Sequence, residues 1–119
     1  MKKTVIIGAS TNPERYAFMA AHRLVEHGHP IRLVGIKEGE VAGQPIHVTR
    51  PQFREIDTVT LYVGPRNQPE WYDYVLSLRP QRVIFNPGTE NPDFAALLRQ
   101  NHIQAEEACT LVLLSIGAY

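Results

Sequence analysis

Five short apolar runs alternate along this chain with segments of helical periodicity, and that alternation leaves few folds open. The runs fall at residues 3–8, Ile31–Ile36, Thr58–Val63, Arg82–Phe85 and Ile103–Glu106. The first, through Val5-Ile6-Ile7, is almost continuously apolar, as expected of a parallel strand covered on both faces. Glu14–His27 places Ala17, Ala20, Ala21, Leu24 and Val25 at helical spacing and stops at Gly28, a residue suited to a left-handed helix end. From Pro69 onward, Trp71, Tyr74, Val75 and Leu78 recur at i, i+3, i+4 and i+7 until Arg79-Pro80 ends the pattern. Pro92–Asn101 turns Phe94, Leu97 and Leu98 inward, and Thr110–Ile116 reads as a last helix. Lys37–Pro45 reads as a surface loop before an edge strand near Ile46–Val48, and residues 51–56 as a short helical turn. The whole predicts an α/β fold: a doubly wound, mainly parallel sheet of about five strands with helices on both faces, occupying residues 1–119 as a single domain.

Composition narrows what such a domain does. Twelve basic residues balance 12 acidic ones, which gives no broad electrostatic case for nucleic acid or an anionic membrane surface. No run approaches the roughly 20 apolar residues of a membrane span. Too few apolar residues follow Lys2-Lys3 for a signal-peptide core. Cys109 is the only cysteine, which excludes an internal disulfide and a cysteine-rich zinc site and fits a reducing cytosol. The expected setting is cytoplasmic.

The segment Gly8-Ala9-Ser10-Thr11-Asn12-Pro13 then reads as strand end, tight turn and helix start, with Asn12 as N-cap and Pro13 at the first helical position. The first amides of a helix have no partner within it, and with the helix dipole they favour an anion. Two further turns, Asn67-Gln68-Pro69 and Asn91-Pro92, carry the same capping residues. In a doubly wound sheet all three open on one edge, where ligands bind. A phosphate-bearing small molecule of nucleotide type is the expected partner. An NAD reader would have Gly-x-Gly-x-x-Gly and an acid after the second strand, whereas this chain has Gly8-Ala9-Ser10-Thr11 and ends its second strand at Gly35-Ile36-Lys37. A lysine there suits a ribose phosphate, as on NADP or coenzyme A, unless it is a solvated loop residue beside Glu38. The Gly-Lys-Ser/Thr of a P-loop is absent.

Val5-Ile6-Ile7-Gly8-Ala9-Ser10, followed by Asn12-Pro13 and Arg15, resembles the opening of the coenzyme A-binding domain family, which includes single-domain bacterial proteins and the α-subunit of succinyl-CoA synthetase. The resemblance continues through Gly28, Glu40-Val41-Ala42-Gly43, Val63, Phe85-Asn86-Pro87-Gly88-Thr89-Glu90-Asn91 and Cys109. It implies a Rossmann-like fold with coenzyme A as cofactor. Gly8, Ala9, Ser10 and Arg15 would then follow the diphosphate, and Val34 to Lys37 would flank the adenosine and its 3′-phosphate. Gly64 and Pro65 would border the ligand, with Asn86, Gly88 and Asn91 near the pantetheine arm. Two segments depart from the family pattern, Leu33-Val34-Gly35-Ile36-Lys37 after the second strand and the stretch around Asn86 and Gly88.

No reaction can be written from the remaining residues. His22, His27 and His29 gather at the far end of the first helix, while His47 and His102 stand apart from any carboxylate or cysteine at ligand spacing. Glu90 and Glu106-Glu107 have no partner acid, base or nucleophile at fixed spacing, and Cys109 among Ala108 and Leu111 reads as a small buried hydrophobe. The expected function is therefore non-enzymatic binding of coenzyme A or an acyl-CoA. The alternatives are an NADP- or other nucleotide-dependent enzyme completed by a partner subunit, and an interaction domain whose ligand site has decayed. The apolar C-terminal segment suits a homodimer contact.

Overall fold

The computed structural model describes residues 1–119. Its centre is β1 (Thr4–Ile7), whose four residues are all buried and which pairs in parallel with β2 (Ile31–Val34) on one side and β5 (Thr58–Leu61) on the other. Beyond β5 the sheet continues in parallel through β6 (Arg82–Phe85) to β7 (Gln104–Glu107). Beyond β2 lie β4 (Gln44–His47) and, antiparallel to it, β3 (Gly39–Val41), so the order is β3-β4-β2-β1-β5-β6-β7. The sheet thus has seven strands where the sequence pattern predicts about five. The surplus comes from Lys37–Pro45, which is not a plain loop but the start of a hairpin. Its tip, Ala42-Gly43, takes φ of 52° and 80°, the positive pair that a tight turn matched to strand twist requires. Alanine at the first of these positions hides the signal that Asn-Gly would display.

Side chains alternate across the strands and so feed two cores. Val5, Ile7, Val59, Leu61, Val83 and Phe85 point to one face, where α2 (Tyr72–Leu78) and α3 (Pro92–Gln100) bury Tyr74, Val75, Leu78, Phe94 and Leu98. Ile6, Ile31 and Leu33 point to the other, beneath Ala17, Ala20, Ala21 and Leu24 of α1 (Tyr16–Glu26) and Leu114 of α4 (Thr110–Ser115). The stripes read from periodicity are buried except at Val25, which is 44% exposed at the end of α1, and Leu97, which is half-buried. Helix starts differ more. α1 begins at Tyr16, two residues after the expected Glu14, and Pro69 opens a 3-10 turn, Pro69–Trp71, that leads into α2. Residues 51–56 form no helix; Ile56 is buried there as an anchor. The expected ends hold: Gly28 at φ 81° follows α1, and Arg79 closes α2 in the left-handed region before Pro80.

Two expectations follow. Phe94 is fully buried, edge-on to Phe85 at 5.7 Å between ring centres, so Phe94→Ala should lower unfolding free energy by about 3–5 kcal/mol in urea titrations. His29 accepts the Lys2 backbone N–H through Nδ1 at 3.0 Å, and burial, reinforced by the positive charges of His27, Lys2 and Arg82, lowers its pKa from 6.5. The folded state therefore binds this proton less readily than the unfolded chain. Its stabilising contribution is complete above about pH 6.5 and is lost as pH falls through the lowered value. Melting temperatures measured across this range should fall on acidification less steeply in His29→Gln.

Candidate functional site

Parallel pairing brings the C-terminal ends of β1, β2, β5 and β6 to one edge, and the order of strands reverses at β1. A cleft of about 900 Å³ lies there, of the size ligand sites occupy. It is walled by residues 8–12 and 15–17 after β1, 35–37 after β2, 62–64, Asn67, Glu70 and Trp71 after β5, and 87–89 after β6.

The turn after β1 is built by close approach. The amides of Gly8 and Ala9 both donate to the carbonyl of Val34 at 3.0 Å, which draws the turn onto the end of β2. Gly8 has φ 93°, and a Cβ there would lie 2.7 Å from the Tyr62 carbonyl oxygen, so only glycine fits between β2 and β5. Gly35 has the same task opposite: its Cβ would meet the Ala9 oxygen at 2.6 Å. Farther along, Asn12 Oδ1 accepts the Glu14 amide at 3.0 Å, and the Arg15 amide donates to the Asn12 carbonyl. Asn12 therefore closes a turn and is not the helix cap. Arg15 occupies that position and gives no side-chain cap bond, because α1 starts one turn later than Pro13 suggests. In consequence the amides of Ser10, Thr11, Tyr16 and Ala17 donate to no backbone carbonyl, and all four residues line the cleft. Arg15 and Lys37 add two exposed cations that form no ion pair within the protein, Glu38 included.

Of the residues expected at the site, Gly8, Ala9, Ser10, Arg15, Lys37, Gly64 and Gly88 line the cleft together. Val34 does not; its side chain is fully buried in the core and its carbonyl shapes the turn. Pro65 stands outside the wall at the start of a 3-10 turn, Pro65–Asn67. Asn86 and Asn91 are not on the cleft wall, and their polar atoms are engaged by the protein. Asn86 donates through Nδ2 to Thr60 Oγ1 (2.6 Å) and the Leu61 carbonyl (2.9 Å), and its Oδ1 accepts the Thr110 amide. Asn91 caps α3 by accepting the Phe94 amide and donates to Gln68 Oε1 and Tyr72 Oη, both at 2.9 Å. Gln68 in turn donates to the Val63 and Thr89 carbonyls. This fully buried glutamine ties the loop after β5 to the turn after β6, and so holds the two walls at a fixed separation.

Periodicity assigns Trp71 to the core, and the structure places it both there and on the cleft wall. The Arg50 guanidinium lies 3.8 Å from its ring centre while donating to the Glu70 carbonyl and carboxylate. Nothing in the one-dimensional pattern distinguishes a core tryptophan from one whose edge reaches a cleft. Tyr62 also lines the cleft, and burial raises the pKa of its hydroxyl, which lies near Thr60 and Thr110 without hydrogen-bond geometry to either. None of the histidines reaches the cleft, Cys109 lies outside it, and no group of three or more histidine, cysteine or acidic residues is arranged to hold a metal. No helix is long and apolar enough to cross a membrane.

The doubly wound sheet with a cleft at its switch point defines a Rossmann-like ligand-binding domain. Residues 2–115 match the family model described as CoA binding domain, and the chain belongs to that family. It is similar over its full length to a solved structure of an uncharacterized protein, at 52% identity and a TM-score of 0.98, covering 98% of that chain. A hypothetical protein from Pyrococcus horikoshii OT3 is 26% identical, with a TM-score of 0.84 over 93% of this chain and 80% of that one. A Thermus thermophilus structure, 21% identical, shares the fold at a TM-score of 0.87 over 99% of this chain and 90% of that one. No match to a curated protein was found.

Removing the Asn86 side chain strands the buried Thr110 amide and Leu61 carbonyl. Asn86→Ala should therefore destabilise the protein by about 1–3 kcal/mol in urea titrations.

Proposed function

We propose that this protein binds coenzyme A or an acyl-CoA in the cleft at the C-terminal edge of its sheet and does not transform it. The observation that carries this reading is the convergence of unpaired donors on one wall: the amides of Ser10, Thr11, Tyr16 and Ala17, with the Arg15 guanidinium beside them. Such a set suits a diphosphate. Lys37 at the end of β2 is the partner for the ribose 3′-phosphate, and the arm runs past Gly64 and Gly88, where no side chain narrows the wall. Family membership supports coenzyme A over other ribose phosphates. The titratable groups lining the cleft are Arg15, Tyr16, Lys37, Tyr62 and Glu70, and no nucleophile is paired with a base among them.

Calorimetric titration with coenzyme A, dephospho-coenzyme A and NADPH tests each part. Coenzyme A should bind about fivefold more tightly than its dephospho form, the worth of about 1 kcal/mol for an exposed charge contact. Lys37→Ala should erase that difference, and Ser10→Trp should abolish binding of both. Absence of heat with coenzyme A sinks the reading. Tighter binding of NADPH would give the site to the other ribose phosphate.

A further inference from the structure

We infer that the opposite edge of the sheet carries a second ligand site, for a small carboxylate, built around Arg82. At that edge Thr4, Thr58, Arg82 and Gln104 stand in register across β1, β5, β6 and β7. By strand alternation their side chains share the α1/α4 face, as does Glu106 two residues along β7. On that face β5 carries Thr58 and Thr60, β7 carries Gln104 and Glu106, and β6 carries Arg82 at the edge with the buried Ile84 behind it. Beside Arg82 opens a cleft of about 370 Å³, whose other walls include Lys2, Asp57, Gln81, Gln104 and Glu106.

Arg82 is held on three sides and unsatisfied on the fourth. Its Nε donates to Thr58 Oγ1 at 3.1 Å, and that hydroxyl donates onward to Asp57 Oδ1 at 2.6 Å, which fixes the plane of the guanidinium. The Tyr119 ring covers one face, 4.5 Å from Cζ. Nη1 is 3.6 Å from Glu106 Oε2, an ion pair too long for a hydrogen bond, and Nη2 is buried and makes no hydrogen bond within the protein, although the Tyr119 hydroxyl lies near the guanidinium. The residue as a whole is 7% exposed. A buried guanidinium is ordinarily satisfied by acceptors, and its two terminal nitrogens form a fork that a carboxylate fits with two parallel hydrogen bonds. Glu106 presents that group at the wrong distance; a ligand carboxylate that takes the place of the Glu106 side chain supplies an oxygen to Nη1 and, once that side chain has moved, to Nη2.

Charge selects the class of anion. Lys2 and Arg82 share this cleft with the Asp57 and Glu106 carboxylates, so a doubly charged phosphate is repelled more strongly than a singly charged carboxylate. Lys2 Nζ already donates to the main-chain oxygen of Tyr119. The backbone amides of Gln81 and Gln104 are engaged, but their side-chain amides, on the cleft wall, leave hydrogen-bonding capacity for the rest of a small polar molecule.

The test is a proton–nitrogen NMR titration of the full chain with sodium acetate, with sodium chloride and sodium phosphate at matched ionic strength as controls. Acetate should cause saturable shifts at Arg82 Nε and at the Gln104 and Glu106 amides, separable from any response of residues 10–17 in the first cleft. Glu106→Gln removes the competing carboxylate and should tighten acetate binding roughly fivefold. Arg82→Lys keeps the charge but not the fork and should abolish saturation. The inference fails if acetate shifts are absent or merely linear, if chloride or phosphate reproduces them, or if Arg82→Lys responds as the unaltered protein does. Should Arg82→Lys not fold, an unchanged acetate affinity in Glu106→Gln overturns it equally.

Discussion

Two amides, those of Gly8 and Ala9, converge on the carbonyl of Val34, and the ligand edge of this protein depends on that convergence. Backbone amides at a strand-to-helix turn are commonly offered to a ligand. Here the first two are used by the protein to bind the turn to β2. The chain can come this close only because residues 8 and 35 lack a Cβ: either atom would fall within 2.7 Å of a carbonyl across the gap. The drawn-in turn delays α1 to Tyr16 and leaves the amides of Ser10, Thr11, Tyr16 and Ala17, beside the cleft, without a backbone acceptor. The unpaired amides are thus displaced along the chain from the place where glycine spacing would put them.

The walls of the cleft rest on buried side-chain amides. Asn86, Gln68 and Asn91 each satisfy several partners that belong to different loops: Asn86 joins β5, β6 and α4, and Gln68 with Asn91 joins the turns after β5 and β6. Buried networks of this kind are favourable only when every member is satisfied, which fixes loop geometry more strictly than apolar packing does. Asn86 and Asn91, which the resemblance puts beside the ligand, consequently have their polar atoms engaged in the framework.

A parallel sheet has chemically different edges, and the two of this sheet differ in what they offer. At the C-terminal edge the surface is made of amides, glycines and two unpaired cations. At the other, side chains supply the chemistry, because the strands begin with Thr4, Thr58, Arg82 and Gln104 in one row. The pull of Tyr119 across Thr4 and Arg82 joins the last residue to the first strand, through a 2.6 Å hydroxyl pair with Thr4 and ring contact with the guanidinium.

Local physics was legible without the fold. Apolar periodicity marks the helical stripes and the continuous runs of β1 and β5, because a half-buried helix and a doubly covered strand each need their own spacing. Gly28 and the Asn91-Pro92 cap are equally local, and β-α alternation implies that the turns after β1, β5 and β6 share an edge. Other features were decided in three dimensions. The β3–β4 hairpin turns on Ala42 with positive φ, which residue type does not advertise. The parts of Asn86 and Asn91 depend on which groups lie beside them across 19 to 26 residues of chain. Trp71 at the cleft, and Arg82 with one nitrogen unsatisfied, depend on neighbours from distant strands and loops. The spacing of residues determines what a segment buries; only the packed sheet determines which polar atoms remain unpaired, and those are the atoms a ligand meets.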